Sequence, residues 1–149
     1  MRSTLKLLPF ACILSLQTGC SFGDDNALDL TASASSAVLT LGEEVRITVT
    51  AVNRGSTRVS WGWGSSTCQL HFVVRLGARD YPAATNRICT ADWVEAALNP
   101  GESRTEHVDW TGWVVRDSAE LLPAGTYDIR GAAGKLWKSP PVALEVVTQ

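Results

Sequence analysis

Four cysteines and two histidines are the residues of this chain with the widest chemical reach. A thiol can be acylated, pair with a second thiol or act as a nucleophile. An imidazole can move a proton or hold a metal. Spacing narrows these options. Zinc needs about four ligands, usually at tight intervals, and Cys68, Cys89, His71 and His107 do not form such a set. Gly62-Trp63-Gly64-Ser65-Ser66 is not the G-x-S-x-G turn of a nucleophile elbow. Nothing marks a positioned Ser-His-Asp set. The stretch 62–67 also lacks the following helix that a phosphate-binding loop requires. Both histidines fall on the polar side of their segments and read as ordinary surface side chains. The expectation is a protein that is not an enzyme, with no metal and no cofactor.

Cys20 is the thiol with a defined context. A basic start, Met1 to Lys6, precedes an apolar run of ten residues, Leu7 to Leu16. That is the layout of a bacterial secretory signal, and the run is about half the length of a membrane span. Gly19 supplies the small residue before a cleavage point. A cysteine immediately after it resembles the lipobox of bacterial lipoproteins, with Gln17 where that pattern usually has an aliphatic side chain. The resemblance implies that residues 1–19 are a signal peptide and that the Cys20 thiol carries lipid. Residues 20–27 would then be a polar tether, containing Ser21, Asp24, Asp25 and Asn26. Residues 28–149 would form one domain. The expected location is the cell envelope, lipid-anchored. By the same family rule, Ser21 is compatible with an outer membrane if the organism has one.

This assignment organises the other cysteines. Cys12 leaves with the signal and Cys20 is committed to lipid. Cys68 and Cys89 remain, in a compartment that permits disulfides. Closing a segment of that size stabilises by about 3 kcal/mol in the loop-entropy picture. Loss of Arg2 and Lys6 takes the basic side chains from 13 to 11 against 15 acids. The mature chain is therefore acidic, which argues against a nucleic-acid partner and against a polybasic mode of membrane binding. The membrane contact expected is the lipid itself.

The elements that must position these residues read as strands. Val45, Ile47, Val49 and Ala51 alternate with Arg46, Thr48 and Thr50, the period of a half-buried strand. Leu28, Leu30 and Ala32 alternate with Asp29 and Thr31. Cys68, Leu70, Phe72, Val74 and Leu76 share one face, opposite Gln69, His71 and Arg75. Val108 with Trp110, Tyr127 with Ile129, and Val142 with Leu144 and Val146 continue the pattern. Asn53-Arg54-Gly55-Ser56 supplies a turn, after which 57–61 can return as a strand. Asn99-Pro100-Gly101, Pro123-Ala124-Gly125, Gly134-Lys135 and Ser139-Pro140-Pro141 are further turn signals. The segment 92–98 fits either a helical turn or a strand. About seven strands at this spacing predict an all-β chain, an antiparallel β-sandwich.

Six tryptophans are many for 149 residues. Most should fill the core of a small sandwich. Trp61-Gly62-Trp63 and Trp110-Thr111-Gly112-Trp113 each set two indoles beside glycine, which can leave a ring exposed on a loop. Trp63 and Trp113 lie furthest from the apolar runs and are the candidates for a ligand-binding surface, for a glycan or a peptide.

From about Leu41 to Val147 the chain resembles the BsuPI-type intracellular proteinase inhibitor domain. The carrying residues are Leu41-Gly42-Glu43, Asn53-Arg54-Gly55, Leu98-Asn99-Pro100-Gly101-Glu102, Trp110, Leu122-Pro123-Ala124-Gly125-Thr126-Tyr127 and Ser139-Pro140-Pro141. The resemblance implies an immunoglobulin-like sandwich, with Tyr127 as the tyrosine of its corner, bonded to nearby backbone. It also implies proteinase inhibition as the alternative to a general binding and interaction module, with a protease as the partner. No reactive-loop residue matches, so none is assigned. The cysteine accounting makes one direct prediction. The denatured, unreduced mature chain should present no thiol from Cys68 or Cys89 to a thiol-reactive dye; two titratable thiols would refute the pairing.

Overall fold

A computed structural model of the chain describes residues 27–62, 68–87, 94–135 and 137–148. These residues form thirteen strands and no helix: β1 (Leu28–Ala34), β2 (Val38–Thr40), β3 (Val45–Asn53), β4 (Val59–Gly62), β5 (Leu70–Leu76), β6 (Arg79–Pro82), β7 (Glu95–Leu98), β8 (Ser103–Trp110), β9 (Trp113–Val115), β10 (Ala119–Leu121), β11 (Gly125–Ala133), β12 (Trp137–Lys138) and β13 (Val142–Val147). The expectation of about seven strands captured the longer ones. The additional strands are two to four residues long, too short to show a period.

Two sheets face each other. One has the order β1-β3-β8, all antiparallel. The other has the order β2-β13-β11-β5-β6, with β12 on β11. The chain changes sheets between β1 and β2. Ser35 N still donates to Arg46 O of β3, while Glu145 N donates to Ala37 O, and β2 then runs parallel to β13. This division of the first strand between two layers is a feature of immunoglobulin-like sandwiches. The expected tyrosine corner is present as well: Tyr127 Oη donates to Pro123 O at 2.8 Å.

The alternation in β3 is that of a strand buried on one face. Val45, Ile47, Val49 and Ala51 are buried, and Arg46 is exposed. They meet Leu70, Phe72, Val74, Ile129, Leu144 and Val146 of the opposite sheet in one core. Trp110 of β8 is 1% exposed and packs edge-on against Phe72 of β5, with ring centroids 5.4 Å apart at 79°. Such a pair contributes about 0.5–1.5 kcal/mol beyond its buried area.

Two expectations are refined. The segment after Asn53 does return as a strand, but β4 pairs with β7 and not with β3. That pairing also resolves 95–98 as strand. Asn53, read as a turn residue, is the fully buried last residue of β3. Its side chain holds the turn from within. Asn53 Oδ1 accepts from Gly55 N at 2.9 Å, and Nδ2 donates to Thr57 O at 2.8 Å and Leu98 O at 2.9 Å. Its backbone is paired with Gly101 and Glu102, so every polar atom of a buried amide is satisfied.

At Gly131 the two sheets leave no room for a side chain. A Cβ there would stand 2.8 Å from Val49 Cγ1 and 3.3 Å from Thr31 O. Val49 is buried and stiff at χ1, so it has little room to yield. Gly131→Ala should therefore lower unfolding free energy by about 1–3 kcal/mol in denaturant titration. A variant as stable as the parent would contradict this packing.

Candidate functional site

Trp113 is the described tryptophan that faces water. Trp61 and Trp110 are buried, as expected for core rings, while Trp113 is 42% exposed. Gly112, at φ 91°, makes the sharp turn that ends β8 and starts β9. This is a backbone conformation that side chains other than glycine rarely adopt. Two hydrogen bonds then fix the backbone of Trp113. Its carbonyl accepts from Trp110 Nε1 at 2.6 Å and from Ala84 N at 2.8 Å. Leu122 N donates to Gly112 O at 2.9 Å, closing the β9–β10 hairpin back onto the turn. Val114 is fully buried beneath it.

The indole lines a cleft of about 200 Å³, with Glu44, Thr85, Asn86, Asp109 and Thr111 on its other walls. Three separate segments build these walls: the turn before β3, the loop after β6, and the end of β8. The loop after β6 is held in place by the Ala83–Val114 bridge and the bond from Ala84 N to Trp113 O. Thr85 Oγ1 also accepts from Arg87 N. Asp109 is gripped by Arg46, with Nε to Oδ1 at 2.8 Å and Nη2 to Oδ2 at 3.1 Å. That contact holds the Asp109 carboxyl below its ordinary range and raises the Arg46 guanidinium, which also feels Glu44. The cleft therefore combines one exposed ring on a fixed backbone, neutral hydrogen-bonding groups, a carboxylate oriented by Arg46 and the second carboxylate of Glu44.

A second polar cluster lies nearer the core. Gln69 is buried, and Arg104 bonds its side-chain oxygen. Arg87 pairs with Glu106, whose Oε1 accepts from Leu70 N at 3.3 Å. Burial raises the Glu106 carboxyl despite these partners. His71 belongs here too, and this corrects its reading as a surface histidine. Both faces of β5 are covered, since Val73 is only 6% exposed, so the polar side of the strand is not a solvent face. His71, Cys68 and Arg87 line a more apolar cavity of about 100 Å³. Burial first, then the charges of Arg87 and Lys138, lower the His71 pKa from 6.5 to about 4. His107 is exposed, as expected, and its Nδ1 lies 2.9 Å from Thr48 Oγ1.

Among the candidates from sequence, Trp113 has a built environment. Cys68 is buried at 2% exposure and is not a free thiol. Cys20, Trp63 and Cys89 lie outside the described residues. Among the described residues, no group of three or more His, Cys, Asp or Glu side chains is placed to hold a metal. The walls of the cleft were missed because no local pattern joins Glu44, Asn86 and Asp109.

No family model matches the chain, and no curated protein matches it. Solved structures do share its architecture. A β-glucosidase, EmGH1, from Erythrobacter marinus superposes with a TM-score of 0.50 at 16% identity, over 80% of this chain and 15% of that one. The alkylpurine DNA glycosylase AlkC of Pseudomonas fluorescens, bound to DNA with an abasic site analog, gives 0.51 at 10% identity, over 80% and 30%. The CARDB domain of the PF1109 protein of Pyrococcus furiosus, in complex with di-metal ions, gives 0.47 at 15% identity, over 80% and 87%. At such identities the likeness is one of fold. The chain spans 15% and 30% of the length of the two enzymes. With its two facing sheets, divided first strand and tyrosine corner, it is an immunoglobulin-like antiparallel β-sandwich.

The buried histidine has a measurable consequence. The folded chain keeps His71 neutral down to about pH 4, whereas the unfolded chain binds a proton below about 6.5. Stability should thus fall as pH drops from about 6.5 to 4, by up to about 3 kcal/mol from this group. Glu106 slopes the opposite way, because its raised pKa favours the folded state at low pH. Comparing denaturation of the parent with His71→Gln across this range isolates the histidine. An unchanged pH profile in the variant would contradict its burial as a neutral ring.

Proposed function

We propose that the chain is a non-enzymatic binding module of the bacterial cell envelope, carried on lipid at Cys20 and stapled by a Cys68–Cys89 disulfide. The observation that carries this reading is the placement of the Trp113 cleft relative to the start of the domain. Leu28 pairs with Asn53 at one end of β3, whereas Trp110 pairs with Val45 at the other. β3 is nine residues long, which separates the ends by roughly 25–30 Å. A tether entering at Ala27 approaches the Asn53 end. In this reading the Trp113 cleft lies at the end of β3 opposite the anchor, where a partner can reach it.

Several features support a module that binds and does not transform. The sandwich is a rigid platform, and its accessible chemistry sits in loops and turns at one end. The backbone at Trp113 is fixed by hydrogen bonds, which lowers the backbone entropy lost on binding. The cleft walls offer hydrogen-bonding groups with no nucleophile and base in contact. Proteinase inhibition of the BsuPI type remains the alternative use of the same end loops, resting on the sequence resemblance.

The anchor is tested by metabolic labelling with a clickable fatty acid. Label should enter the full chain and disappear in Cys20→Ala. An unlabelled parent would overturn the anchored reading and leave an exported, unanchored domain.

A further inference from the structure

The chemistry of the Trp113 cleft selects among ligand classes. A charged ligand is poorly matched. Asp109 already has its countercharge in the Arg46 guanidinium, at 2.8 and 3.1 Å, and the same guanidinium feels Glu44. Two carboxylates against one guanidinium leave a single net negative charge at this wall, too little for a multiply charged cation. An aromatic cage for an ammonium group uses several rings, and Trp113 is the indole that lines this cleft. A wholly apolar ligand is excluded by the walls, where it would strip water from Asn86, Thr85, Thr111 and Asp109 without replacing their hydrogen bonds.

The complementary ligand is neutral, with one apolar face and a rim of hydroxyls. A pyranose has that form. Its axial C–H bonds make a face that lies on an indole, and its hydroxyls each donate and accept. Asn86 offers two donors and an acceptor, Thr85 and Thr111 offer hydroxyls, and Asp109 retains lone pairs beyond the two engaged by Arg46. A cavity of about 200 Å³ is small by the standard of drug-sized pockets and suits a ring-sized group at an open end. The outward face of the hairpin extends the platform. Leu121 lies opposite Trp113, and Ala119 opposite Val115, and all four are exposed.

We infer that the Trp113 cleft is a saccharide-binding site, stacking a neutral pyranose on the indole and hydrogen-bonding its hydroxyls through Asn86, Asp109 and the two threonines. This rests on the reading of the chain as a binding module and specifies the ligand class.

The test is calorimetric and fluorimetric titration of the purified full chain with neutral hexasaccharides: β-1,4-glucan, α-1,4-glucan, β-1,4-mannan and β-1,4-linked N-acetylglucosamine. Choline and a lysine-rich peptide serve as cationic counter-probes. At least one saccharide should bind saturably and perturb tryptophan emission. Trp113→Ala should weaken it about tenfold or more, the scale of a lost aromatic hot spot. Asn86→Ala should weaken it less, and both variants should keep the parent's melting temperature within a few degrees. Saturable binding of none of the four would overturn the inference. So would binding unaffected by Trp113→Ala, or binding of the cationic probes in place of the sugars. Failure of this kind with fatty-acid label still present at Cys20 would leave the envelope module standing without its saccharide.

Discussion

Trp110 ties the core of this sandwich to the turn that carries Trp113. The ring belongs to the interior, packed edge-on against Phe72 across the two sheets. Its Nε1–H points toward the surface turn and donates to Trp113 O at 2.6 Å. A buried indole N–H left without an acceptor would cost on the order of 1–3 kcal/mol. The bond therefore fixes more than the ring. It sets where the backbone must pass after Gly112, and hence where the second indole emerges. The loop after β6 then docks on the same carbonyl through Ala84 N.

The two ends of the sandwich use different devices. At the end where β1 begins, Asn53 closes the turn from inside and joins β3 to the segment before β4 and to the last residue of β7. Its own groups are all satisfied, so Asn53 acts as a structural clip. At the opposite end, the hydrogen-bonding backbone is spent on fixing Trp113, and side chains remain available around the cleft. The turn closed by Asn53 and the cleft lined by Trp113 thus lie at opposite ends of β3. Between the layers, Gly131 leaves the room that Val49 of the facing sheet occupies.

Much of this fold is legible in the sequence, for a physical reason. β3 and β13 bury one face, so their side chains alternate and the period is visible. Tyr127 is legible because its corner depends on a turn four residues earlier, within one local segment. The partner of β4 is not legible. Four residues carry little periodic signal, and β7 lies far along the chain. His71 misleads because alternation reports faces and cannot report what covers the second one. The exposure of Trp113 is hinted by its neighbouring Gly112, but Glu44, Thr85, Asn86 and Asp109 reach the same cleft only through tertiary structure. The polar cluster of Gln69, Arg87, Arg104 and Glu106 is hidden for the same reason.

The central claim is that a core ring positions the surface indole through one hydrogen bond. Trp110→Phe keeps an aromatic ring against Phe72 and removes the donor. Residue-resolved hydrogen exchange on that variant measures the consequence directly. The account predicts several-fold faster exchange confined to β9, β10 and the loop at Ala84, with the order of protection in β3 and β11 retained. Faster exchange spread equally through every strand, or an unchanged hairpin, would contradict it.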